Sequence, residues 1–195
     1  MSFWDEKRVQ FYIDTWGPPN NRKKWLNVDR MDIPVKLLKG KTALDVGCGL
    51  GHLYYALKGK VTTYVGVDAS SHMLEKAREY FPEADFRQGD AYDLSEFPKV
   101  DTVFSISLLI HLVSIEEPIR QLWSRAKKRL IFLIPLGWRE KVEEPEPGLI
   151  YHQVSSKHLN TILDSLPDVE RTEKVYWSKN HYFIVLDRKN ENSDG

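Results

Sequence analysis

The chain has 195 residues, 42% apolar and 29% charged, and its 28 acidic and 28 basic side chains cancel. That length fits one domain with a sizeable core, and the charge balance disfavours a strongly basic surface for nucleic acid. No apolar run approaches the ~20 residues needed to cross a membrane, and the start Met1-Ser2-Phe3-Trp4 lacks the pattern of a secretion signal.

Ser2 to Thr15 opens on a cap-like serine, with Asp5 three residues on and Trp4, Val9, Tyr12 and Ile13 at helical spacing. It predicts an amphipathic helix closed by Gly17-Pro18-Pro19. A second helix is predicted over Met31–Lys39, with Pro34 near its first turn and Gly40 just past its end. From Lys41 the pattern alternates. Strands are predicted at Thr42–Val46, Val61–Val67, Ala84–Arg87, Val100–Ser107 and Arg129–Leu136. Helices are predicted at Leu50–Lys58, Ser71–Tyr80 (capped by Ser70 or Ser71), and from a Ser114/Glu117 capping box to about Lys127. Such alternation implies a parallel sheet with right-handed crossovers. The insert Gly137–Ile150, rich in Glu and Pro, is too long for a plain turn and predicts a loop that binds or gates substrate, or a solvated one. After a helix over Ser156–Leu166, the β-rich runs Val169–Trp177 and His181–Asp187 are joined only by Ser178-Lys179-Asn180. So short a link cannot hold a crossover, so this pair must be antiparallel. The polar end, Lys189 to Gly195, predicts a frayed tail.

Chemistry concentrates at Ala43-Leu44-Asp45-Val46-Gly47-Cys48-Gly49-Leu50-Gly51, an apolar strand running into a glycine turn. Gly47, Gly49 and Gly51 let backbone approach a ligand at the carboxyl edge of a sheet. Position 52 is His52, so the dinucleotide spacing Gly-x-Gly-x-x-Gly is not met, nor is the Gly-Lys-Ser/Thr end of a phosphate loop. Asp68 stands at the end of the next strand, where a carboxylate can accept both hydroxyls of a ribose. Asp45, at the turn itself, suits a nearby positive charge or caps the turn amides.

The form Asp-Val-Gly-Cys-Gly-x-Gly resembles the first motif of class I S-adenosylmethionine (AdoMet) methyltransferases. The resemblance covers roughly residues 41–189 and implies a Rossmann-like α/β fold: a seven-stranded, mostly parallel sheet with an antiparallel C-terminal strand and helices on both faces. It implies AdoMet as methyl donor, S-adenosylhomocysteine as product, and direct SN2 transfer to a small-molecule or protein acceptor. By resemblance Asp90 accepts from the adenine amino group, with Ala69 and Ala91 as the backbone after each acid. Strand four, ending near Ser105, places the reacting methyl over its carboxyl end. His111, just beyond, is the candidate general base for an oxygen or nitrogen nucleophile, or a packing residue. The first 40 residues are expected to form a helical cap or lid, where Trp4, Tyr12 and Trp16 either face a sulfonium or anchor the helix. Trp138, Tyr151 and His152 follow strand five, on the side where substrate enters. Cys48 reads as a small packing residue. As the chain's single cysteine it excludes an internal disulfide framework and fits a reducing cytoplasm. No metal site is expected. The rival readings are a non-catalytic AdoMet-fold module serving a partner enzyme and, disfavoured by glycine spacing, an NAD-dependent oxidoreductase.

Overall fold

The computed structural model describes residues 4–189. The Ser2 cap and the tail at 190–195 lie outside the described residues. The first helix, α1, runs Glu6–Trp16, and its cap is Asp5, whose side chain accepts from Arg8 N. The second, α2, spans Asp29–Lys36, starting two residues and ending three residues earlier than its pattern suggested.

The alternating region forms β1 (Thr42–Val46), α3 (His52–Leu57), β2 (Thr63–Asp68), α4 (Ser71–Tyr80, capped by Ser70), β3 (Asp85–Gln88), β4 (Val100–Ser105), α5 (Glu116–Arg125) and β5 (Ala126–Gly137). Beyond it come β6 (Lys141–Glu146), β7 (Leu149–Ser155), α6 (Ser156–Asp164), β8 (Val169–Ser178) and β9 (His181–Arg188). Strands lie in the order β3-β2-β1-β4-β5, parallel throughout, and β9 adds to β5 antiparallel with β8 outside it. This is the expected seven-stranded sheet with its antiparallel final strand.

The core follows from the pleat. Alternate residues of one strand face opposite ways. Leu44, Val103, Leu130, Phe132 and Ile184 face α5 and α6, where Ile119, Leu122, Trp123 and Ile162 meet them. Ala43, Phe104, Ile131, Leu133 and Phe183 face α3 and α4. Strands buried on both sides read as continuous apolar runs, as Leu130–Ile134 does.

Two expectations fail. The 137–150 insert is not an irregular loop: it holds β6 and the start of β7, an antiparallel hairpin joined to the sheet where Leu136 and Gly137 pair with Val154 and Ser155. All of β6 is exposed, so it carries no alternation to read. The Ser114/Glu117 capping box does not form. Glu117 accepts from Gln121 Nε2 and Glu116 from Arg120, four residues on in each case, while Ser114 O takes the Tyr92 hydroxyl.

Candidate active site

The glycine turn leaves β1 at the point where the strand order reverses, between β1 and β4, which is where open α/β sheets form a crevice. Gly47 N and Cys48 N both donate to Val67 O, at 2.7 and 3.0 Å, pulling the turn towards the end of β2. A Cβ on Gly47, at φ +78°, would stand 2.6 Å from Leu108 Cβ, so glycine lets this turn close against the chain after β4. Gly49 differs. Its φ is +51°, and a Cβ there would meet nothing within 4 Å. Gly51 caps α3 in the left-handed region and packs against the Phe81 and Phe86 rings.

Asp68, not Asp45, caps this turn. Asp68 Oδ2 accepts from Gly49 N and Oδ1 from Ser70 N, both at 2.9 Å. Burial raises its pKa, and the Ser70, Gly49 and Ala69 amides oppose that rise. Asp45 turns sideways, is 2% exposed, and accepts the Tyr64 hydroxyl at 2.8 Å. Burial drives its pKa up to about 7, against the Tyr64 hydrogen bond and with help from the Asp68 charge. Since the native state then holds a proton that the unfolded chain has lost, stability falls as pH rises from about 4 to about 7. Asp45→Asn should flatten that slope and leave the variant the more stable of the two at pH 8, by of order a few kcal/mol. Parallel melting curves across pH 4–8 check this; equal slopes would show that Asp45 ionises freely.

A small recess of about 40 Å³ lies over the turn, lined by Tyr12, Arg30, Asp45, Gly47, Gly49 and Ile106 among others. The N-terminal segment covers it. Trp4 O accepts from Ser70 Oγ at 3.1 Å, and the Trp4 ring meets His111 edge-on at 6.2 Å. Tyr12 meets Trp4 edge-on at 5.7 Å and stacks on Trp16 at 5.9 Å. His52 Nε2 lies 3.0 Å from Gly17 O and ties the end of α1 down; burial lowers its pKa to about 4. Thus α1 and the residues before it span from the chain after Asp68 to the chain after β4.

His111 occupies a single-turn 3-10 helix, Leu109–His111, just past β4. Its Nδ1 donates to Ile150 O at 2.9 Å, which leaves Nε2 as a lone-pair acceptor. Burial lowers its pKa, the Ile150 bond opposes this, and the Arg30 charge adds to the lowering. Asp90 sits two residues past β3 on the same sheet edge, exposed, with Oδ1 accepting from Tyr92 N at 3.0 Å in an Asx turn. Ala69 is exposed and Ala91 buried; Ser105 is fully buried, and its Oγ has no partner among the described residues. The glycine turn, Asp45 and Tyr12 therefore line one recess, while Asp68 is tied to it through Gly49 N, Trp16 through the Tyr12 ring and His111 through the Trp4 ring.

Two substrate-side candidates do not join them. Trp138 is 80% exposed, its ring covered by the Arg139 guanidinium at 3.9 Å. His152 is buried with both ring nitrogens engaged, at Leu112 O and Glu140 Oε1. Tyr151 is half-buried on β7 opposite Glu143. Cys48 is a buried thiol inside the turn, its pKa pushed well up by burial.

Arg30 was not legible in the sequence. It rises from α2, 8% exposed, with its guanidinium 4.3 Å from the Trp16 ring centre. Its terminal nitrogens reach Tyr12 Oη at 3.3 Å and Ser107 Oγ at 3.4 Å. Nε has no partner, and among the described residues no carboxylate pairs with this cation. Only the folded meeting of α1, α2 and the chain after β4 creates the site, and nothing local in Asp29-Arg30-Met31-Asp32 signals it.

A glycine turn at the reversal of a doubly wound sheet, a carboxylate at the next strand end and a covering N-terminal segment define an α/β domain built to hold a nucleoside-like ligand. Residues 43–130 match the family model of the methyltransferase domain. The ubiquinone biosynthesis O-methyltransferase of Actinobacillus pleuropneumoniae is 34% identical over 114 residues, covering 50% of this chain and 49% of the relative. The tRNA U34 carboxymethyltransferase of Pseudoalteromonas translucida is 32% identical over 94 residues, covering 45% of this chain and 28% of the relative. The chain thus spans less than half the length of these relatives. Among solved structures, magnesium protoporphyrin IX methyltransferase from Synechocystis with bound SAM superposes with a TM-score of 0.68 at 22% identity, covering 96% of this chain and 99% of that one. Residues 43–130 are thus similar to the methyltransferase domain, and the chain has the α/β fold of the solved methyltransferase.

Proposed function

We propose that this protein is an AdoMet-dependent methyltransferase that moves a methyl group by direct displacement to a small-molecule or protein acceptor. The observation that supports this reading most is the recess beneath α1, lined by the glycine turn, Arg30 and Asp45, with Asp68 tied to that turn through Gly49 N and His111 just past β4. The residues fit the cofactor: Gly49 faces open space, and the buried Arg30 Nε lacks a partner that a carboxylate would provide. Bound there, AdoMet supplies a methyl group on an electrophilic sulfonium. Asp68 accepts from the ribose hydroxyls through its remaining lone pairs, and Asp90 with Ala91 faces adenine. Arg30 would take the methionine carboxylate in a charge-assisted bond. Tyr12 and Trp16 close the crevice from α1, the lid of the first 40 residues. His111 Nε2 would take the acceptor's proton as the acceptor's oxygen or nitrogen bonds the methyl carbon, with the thioether of S-adenosylhomocysteine as the leaving group.

Two relatives have small-molecule chemistry in their names, ubiquinone biosynthesis and magnesium protoporphyrin IX. The tRNA U34 carboxymethyltransferase names a nucleic acid, and the balanced charge of this chain favours the small molecule. Among the described residues no helix is long and apolar enough to cross a membrane. With Cys48 kept as a buried thiol, we read the compartment as cytoplasmic.

S-adenosylhomocysteine at a hundredfold excess over Kd should stabilise the protein by about 2.7 kcal/mol. Arg30→Met should fold as well as the parent, because it removes a buried cation without a counter-charge. It should weaken S-adenosylhomocysteine about 10-fold or more yet bind 5′-methylthioadenosine, which has no carboxylate, as the parent does. No melting shift in the parent at millimolar S-adenosylhomocysteine would overturn the cofactor reading; equal losses for both ligands in Arg30→Met would overturn the carboxylate contact.

A further inference from the structure

Two histidines on facing segments each hold the backbone beside the other. His111 Nδ1 donates to Ile150 O on β7, and His152 Nδ1 on β7 donates to Leu112 O, one residue past His111, both at 2.9 Å. The two bonds close a ring between the turn after β4 and the inserted hairpin. His152 is 2% exposed, and its Nε2 stands 2.5 Å from Glu140 Oε1. Glu140, at the foot of the hairpin, also takes His158 Nδ1 at 3.0 Å and, on Oε2, Ser155 N at 2.7 Å. Burial would raise the pKa of Glu140, but the bonds from Ser155, His152 and His158 outweigh it and hold it at about 2. An ionised carboxylate therefore faces one nitrogen of the His152 ring and a carbonyl faces the other. The ring has one stable orientation.

We propose that Glu140 and His152 are positioning residues for His111. Glu140 orients the His152 ring, His152 holds Leu112 O, and the held turn keeps the His111 Nδ1 proton on Ile150 O, leaving the lone pair on Nε2. The inserted hairpin is thereby a wall of the active site. Neither residue touches substrate. Their consequence for turnover rests on the reading of His111 as the base; their consequence for its tautomer does not. Without the ring, the His111 imidazole is free to place its proton on either nitrogen, and the Nε2-protonated form cannot accept one at Nε2.

The test measures turnover and the His111 tautomer together. Glu140→Gln and His152→Gln should each lower kcat roughly 10- to 100-fold, the scale on which outer hydrogen-bond partners tune a functional histidine, and leave the KM for AdoMet unchanged. His152→Asn, which keeps a donor near the Nδ1 position, should recover part of the loss. Long-range ¹H–¹⁵N spectra of the histidines should show one His111 tautomer in the parent and a mixture in Glu140→Gln and His152→Gln. Glu140 is 35% exposed, so its Gln variant carries the test if His152→Gln fails to fold. The parental tautomer in folded Glu140→Gln overturns the proposal. Parental turnover in His111→Gln removes the base reading alone and leaves the tautomer result to judge the positioning.

Discussion

Replacing His111 with Gln is expected to lower turnover by about 100-fold or more while cofactor affinity stays nearly unchanged, because a general base is typically worth 10²–10⁴ in rate. The geometry sharpens the pH dependence. Only neutral imidazole accepts a proton, so the parent rate falls as pH drops through the histidine's pKa. Burial and the Arg30 charge hold that pKa below the usual 6.5, so the acid limb should lie under pH 6.5 and vanish in the variant. A Gln variant that loses stability and keeps its turnover per folded molecule would leave His111 as a packing residue and in-line positioning as the whole mechanism.

Asp68→Ala is expected to weaken S-adenosylhomocysteine by about 1.5–3 kcal/mol, roughly 10- to 150-fold, the scale of hydrogen bonds to a charged group. Asp68 also anchors Gly49 N and Ser70 N, so part of the Ala effect is a loosened turn. Asp68→Asn separates the two: its amide oxygen still accepts from one of those amides, while the charge that strengthens the ribose bonds is gone. Calorimetric titration of both variants decides. Parental affinity in folded Asp68→Ala would show that ribose does not bind there.

Much of the architecture was legible because single residues force it. The link Ser178-Lys179-Asn180 permits only an antiparallel pair, and the runs read as Val169–Trp177 and His181–Asp187 form the antiparallel strands Val169–Ser178 and His181–Arg188. The glycine turn and Asp68 were legible because both lie at strand ends, and strand ends follow from apolar runs. The roles of the two acids were harder to assign. Asp45 adjoins the turn in sequence, but the β1 pleat sends its side chain to Tyr64 and leaves the turn amides to Val67 O and Asp68. The hairpin was illegible because β6 buries nothing, carries Pro145 at an edge, and exists through its pairing with β7. Arg30 was illegible because its setting is assembled from residues 12, 16 and 107.

The place of β9 sets the timing of folding. It sits inside the sheet, between β5 and β8, with Leu130–Pro135 of β5 paired along Leu186–His181. On a ribosome the chain emerges from the other end. Once β5 has appeared, its apolar flank has no neighbour on the β9 side until residues 181–188 follow. At about 5–20 residues per second that wait is on the order of seconds. During it a run of five almost wholly buried residues, Leu130–Ile134, offers an open strand edge to any other nascent chain. The same strand that completes the native sheet is thus the one whose delay makes this protein vulnerable to aggregation, and a holding chaperone should raise its yield.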